Sequence, residues 1–123
     1  MASVSSPSAR LLLLLRFGFW VALIFAVTMA LVPKPPAVLG EMGDKYQHML
    51  AFATLSILAS AAYPRATWLR IAERLSFLGA LIEVLQSIPA LHRDCDIMDW
   101  LADTASILAA LAVVALIRRL WTR

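Results

Sequence analysis

The sequence predicts an all-α polytopic membrane protein: one compact bundle of four transmembrane helices. Composition points there first. Of 123 residues, 62% are hydrophobic and 15% charged, against roughly 45–50% apolar and about 25% charged in soluble domains. The mean hydropathy is +0.81, and a soluble chain of this length could not bury so much apolar surface. Patterning points the same way. The apolar residues gather into four long Leu- and Ala-rich runs, each near the roughly 20 residues that cross about 30 Å of hydrocarbon. The runs lack the period-two alternation of strands. A soluble enzyme, a disordered tail and a disulfide scaffold are excluded on these grounds.

The first span is expected over residues 11–32, after a tail of residues 1–10. Arg16 interrupts it, and Pro33, Pro35 and Pro36 end it, because proline cannot continue a helix. Arg10 and Arg16 resemble the basic end of a signal peptide, but no clean A-x-A site follows a short apolar region. A retained helix is therefore expected. The second span covers about 44–62 and closes at Tyr63-Pro64. The third covers about 68–88, just before Pro89. Its first turns carry Arg70, Glu73 and Arg74, which must lie at the interface and snorkel. The fourth covers about 97–117, ahead of a basic tail over 118–123. The chain from 11 to 117 forms a single domain.

The net charge of +3 does not mark a nucleic-acid partner, since the cations form no basic block. They report topology instead. Four spans place Arg10, Arg16, Arg65, Arg70, Arg74, Arg118, Arg119 and Arg123 on one side, and only Lys34, Lys45 and Arg93 on the other. The positive-inside rule then puts both termini in the cytoplasm. The single cysteine, Cys95, excludes an intramolecular disulfide and any CxxC metal site.

The acids segregate the other way. Glu41, Asp44, Glu83, Asp94, Asp96, Asp99 and Asp103 all fall toward the outer face, with Glu73 alone inside. Asp44 and His48 are four apart and share a helical face, as do Glu83 and Gln86, three apart. Asp96, Asp99 and Asp103 run along one stripe of the fourth helix. Arg93 and His92 occupy the short loop between. At 1.5 Å per residue these groups enter one slab of the bilayer. Charges there cost about 2.5–3.5 kcal/mol each, so they imply a shared polar pocket.

Several of these residues have plainer readings. Asp44 and Asp96 suit N-caps, Asp99 suits a first helical turn, and Gln86 can bridge helices. Lys45 can snorkel to headgroups, and His48 can be a packed core histidine. Glu83 and Asp103 lie inside apolar runs, where a capping role is not expected. Two helix N-termini face the same pocket and favour an anion such as phosphate. The carboxylates then fit either a hard divalent cation bridging to phosphate oxygens or proton transfer with His48.

The same residues resemble the pattern of the VanZ-like membrane proteins, a family named for a protein linked to teicoplanin resistance. One block is Asp44-Lys45-x-x-His48-x-x-x-Phe52. The other is Glu83-x-Leu85-Gln86, Pro89, Arg93, Asp96, Asp99 and Asp103. Together they cover about residues 40–115. The family pattern usually has asparagine where this chain has Asp103, and glycine near Ser106. The resemblance points to the bacterial cytoplasmic membrane, and with the cation split the site is expected to face outside. It also implies kinship with families proposed to act on phosphate-bearing lipid head groups, polyprenyl-phosphate-linked envelope precursors among them.

The resulting expectation is phosphoester hydrolysis or head-group transfer on membrane lipids. His48 would be base or nucleophile, and Glu83 and Asp99 would be acid, base or metal ligands. Asp44, Lys45, Gln86, Arg93, Asp96 and Asp103 would bind the ligand, with Lys45 and Arg93 neutralising phosphate. The alternative is a non-enzymatic binding or shielding protein, or a subunit of an envelope assembly. A transporter fits less well, because the inner halves of the first, second and fourth spans are almost entirely apolar.

Overall fold

Each apolar run forms a helix, and the helices end where backbone chemistry stops them. A computed structural model describes residues 8–32, 40–91 and 96–122; the side chains of 40–45 and of 91 lie outside the described set. The elements are α1 (Ala9–Leu31), α2 (Gly40–Ala62), α3 (Trp68–Gln86), a 3-10 turn (Pro89–Leu91) and α4 (Ile97–Trp121). Ser8 caps α1 by accepting from the Leu11 amide, and Thr67 caps α3 by accepting from the Arg70 amide.

Three boundaries differ from expectation. α2 begins at Gly40, about one turn before residue 44. Asp44 is thus inside the helix and is not its N-cap. The two glycines of the first turn weaken a helix by about 1 kcal/mol each but do not forbid it. α3 stops at Gln86, because Ile88 precedes Pro89 and is pushed away from α geometry. α4 continues past 117 to Trp121, with Arg118 and Arg119 in its last turn, where cations suit the helix dipole.

Polar ties between helices set the topology. Ser106 donates to the Met49 carbonyl and Arg118 to the Ser60 carbonyl, so α2 and α4 run in the same direction. Glu83 meets the start of α4 while Ser76 bonds Thr104 farther along, so α3 and α4 are antiparallel. Arg16 and Trp20 of α1 reach Ala62 and Tyr63 at the end of α2. The bundle is therefore up-down-up-down. α2 packs most extensively on α4, with α1 against α2 and α3 against α4. The start of α1, the α2–α3 turn and the end of α4 share one end, here the basic end. Glu83 of α3 and the acids of α4 lie toward the other, the acidic end, while Glu73 lies near the basic end.

The core is a seam of buried residues from every helix: Phe19, Phe52, Leu55, Ala59, Leu75, Ile82, Ile107 and Leu111. On α2 the buried stripe includes the small residues Ser56, Ala59 and Ser60, which let backbones approach closely. Outside, the surface is apolar. On α1, Leu13, Phe17, Ile24 and Phe25 are all more than 60% exposed. α1 and α4 are long and apolar enough to cross a membrane. α2 and α3 carry more polar residues and do not meet that measure, so two of the four expected spans are candidates by length and composition.

Three helices converge at Gly79. A Cβ there would lie 3.4 Å from Trp100 Cδ1 and 3.5 Å from Phe52 Cζ. Gly79→Ala fits this space as a snug contact. Gly79→Leu has nowhere to go without displacing both rings, and should destabilise by about 1–3 kcal/mol. Thermal unfolding in detergent measures it; an unchanged midpoint for Gly79→Leu would show that the three helices do not meet there.

Candidate functional site

The acidic end is built from α3 and α4, with α2 alongside. Glu83, Gln86 and Asp103 are buried, at 6%, 3% and 3% exposure. Asp99, one turn nearer the end of α4, is half-buried, and Asp96 is exposed. The stripe Asp96–Asp99–Asp103 thus descends from surface to core. His48 is half-buried on α2.

Phe52, Gly79 and Trp100 meet alongside these groups. His48 stands one turn beyond Phe52 toward the acidic end, and Glu83 one turn beyond Gly79 toward the same end. Residues four apart share a helical face. His48 and Glu83 thus both lie on the acidic-end side of the contact between Phe52 and Gly79. Asp103 is one turn from Ser106, whose hydroxyl reaches the Met49 carbonyl at 2.7 Å. That places Asp103 on the face of α4 that packs against the His48 region of α2.

The hydrogen bonds give some of these groups definite tasks. Glu83 Oε2 accepts from the Asp96 backbone N–H at 3.0 Å. Glu83 therefore does serve a helix start, contrary to expectation: it holds the residue that begins α4. Asp96 caps α4, its Oδ1 accepting from the Met98 amide at 2.9 Å. Gln86 Nε2 donates to the Ala30 carbonyl at 2.8 Å, fastening the end of α1 to α3. Its Oε1 is an acceptor chemically distinct from that bond. His48, Asp99 and Asp103 each have interacting partners as well. No buried side-chain N or O among the described residues lacks one.

The side chains of Asp44 and Lys45, and all of His92, Arg93 and Cys95, lie outside the described residues. Among the described residues, no group of three or more His, Cys, Asp or Glu is arranged to hold a metal ion. The described acids and His48 remain able to exchange protons and accept hydrogen bonds.

No protein-family model, curated protein or solved structure matches this chain. The site's chemistry therefore rests on its own residues.

Sequence reasoning passed over one supporting group. Trp100 Nε1 donates to the Ser76 carbonyl at 3.0 Å, and Ser76 Oγ lies 2.9 Å from Thr104 Oγ1. These bonds lock α3 to α4 alongside the acids of α4. Ser106, noted only as a departure from a family pattern, ties α4 to α2. The available signal was a hydroxyl inside an apolar run. In a membrane such a hydroxyl must find a partner, and often finds it on a neighbouring helix.

Proposed function

We propose that the chain is a four-span protein of a bacterial cytoplasmic membrane, VanZ-like in kind. Its acidic end forms an outward-facing pocket that binds and processes phosphate-bearing lipid head groups. The observation that carries this reading is the burial of Glu83 and Asp103, on two helices at one end of a bundle with an apolar exterior. Ionisable groups inside a membrane are expensive and mark functional paths or sites. The exposed Leu50, Ile57, Phe77 and Val84 on α2 and α3 support lipid contact for those helices too. The excess of cations at the basic end supports its cytoplasmic placement.

In hydrolysis, a water would attack phosphorus as His48 takes its proton. A protonated carboxyl of Glu83 or Asp99 would return one to the leaving oxygen. Lys45 and Arg93 are the cations assigned to the phosphate charge, which is the main thing the transition state needs stabilised.

The second reading is a protein that binds or shields the head group without turnover. It is favoured by one observation: Glu83 and Gln86 both hold backbone groups of neighbouring helices, which suits a rigid receptor. Phosphorus analysis of lipids incubated with the purified protein separates the two. Turnover that falls by about 100-fold or more in His48→Ala supports the enzyme. Stoichiometric lipid binding without product, unchanged by the substitution, supports the shielding protein.

A further inference from the structure

A second polar feature lies at the opposite end of the bundle, where the proposed chemistry uses nothing. A pocket of about 360 Å³ opens between the start of α1, the α2–α3 turn and the first turn of α3. Arg16, Arg65 and Arg70 line it, with Tyr63, Leu12 and Pro64, and its lining holds no carboxylate. Three arginines from three chain segments therefore line one cavity, and no carboxylate is among its lining residues.

Arg16 is held in place for this. Its Nε donates to the Ala62 carbonyl at 3.0 Å, and its guanidinium lies 4.7 Å above the Tyr63 ring. Tyr63 is fixed in turn by the Trp20 indole N–H, which donates to its hydroxyl at 2.9 Å, and by the edge of Phe19. The Ala62 bond uses one of five guanidinium N–H donors. The first turn of α3 carries no acid, so its partial positive charge adds to the field. The surroundings are apolar: Leu11, Leu13, Leu14, Trp68 and Leu69 are all exposed.

We propose that this pocket holds the phosphate of an anionic phospholipid, with the acyl chains lying along the apolar flank of α1. Basic pockets between membrane helices suit such head groups, and guanidinium groups suit phosphate oxygens. The proposal rests on the chain lying in a membrane, and is independent of any chemistry at the acidic end.

Native mass spectrometry of the full chain in detergent, titrated with phosphatidylglycerol or phosphatidylcholine, tests it. Phosphatidylglycerol should bind at one saturable site, and Arg65→Gln with Arg70→Gln should weaken it about tenfold. Both side chains are exposed, so the fold should survive; an unchanged thermal midpoint verifies that. Arg74→Gln with Arg119→Gln removes the same charge from the same end outside the pocket, and should leave binding within about twofold. Equal losses in the two pairs would mean diffuse surface attraction and overturn the site. Displacement of the lipid by millimolar inorganic phosphate would mean that the free anion is the ligand, and would overturn the lipid assignment. Equal binding of phosphatidylcholine would overturn the proposal as well.

Discussion

Glu83→Ala is expected to lower stability by about 3 kcal/mol and to abolish function, whereas Glu83→Gln should keep the fold and lose function alone. Glu83 is 6% exposed, and its Oε2 accepts the Asp96 backbone N–H. Alanine removes that acceptor and leaves a cavity beside it. The part-buried Asp96 N–H loses its acceptor, and an unmade bond of this kind costs about 1–3 kcal/mol. The start of α4, which carries Asp96 and Asp99, would lose its tie to α3. Glutamine preserves the carbonyl acceptor and nearly the same volume, but it cannot donate or accept a proton as a carboxyl group does. Thermal unfolding in detergent and lipid turnover, measured on both variants, separate positioning from chemistry. If Glu83→Gln turns over lipid normally, the carboxylate has no proton-transfer role and Glu83 is a structural tie. If Glu83→Gln is as unstable as Glu83→Ala, its charge contributes more to the fold than its hydrogen bond to Asp96.

The helices were legible in the sequence because a membrane-like composition leaves few alternatives. Runs of apolar residues longer than a strand, punctuated by Pro33, Tyr63-Pro64 and Pro89, admit little but helices. Their ends were less legible. The second span was expected to start at about residue 44, yet α2 also includes Gly40 and Gly43, since propensity is a weak force beside tertiary packing. The burial gradient from Asp96 to Asp103 followed from helical spacing alone. The bond from Glu83 to the Asp96 amide did not, because it depends on how the chain turns between the two helices. No local pattern encodes that turn. Arg16 shows the same limit. In the sequence it is an interruption and a topology marker. In the fold it reaches a carbonyl and a ring some 46 residues away.

The gradient along α4 sets up the most discriminating comparison. Asp103 is the deepest of its three acids and Asp99 is half-buried above it. A buried charge is retained at a cost that only its partners offset, and Asp103 has at least one partner. Asparagine keeps the shape and a hydrogen-bonding carbonyl without the charge. Asp103→Asn is therefore expected to preserve function and to raise the thermal midpoint slightly. Asp99 is half-buried nearer the mouth, where the proposed function has its carboxyl exchange a proton with the head group. Asp99→Asn should abolish turnover and leave the midpoint within about 0.5 kcal/mol of the parent. Both variants are to be compared in detergent unfolding and in lipid turnover or complementation. A dead Asp103→Asn beside a working Asp99→Asn would reverse the roles along the stripe and place the essential carboxylate in the core. Two active variants would reduce the stripe to capping and packing, and the shielding reading would then stand ahead of the enzyme.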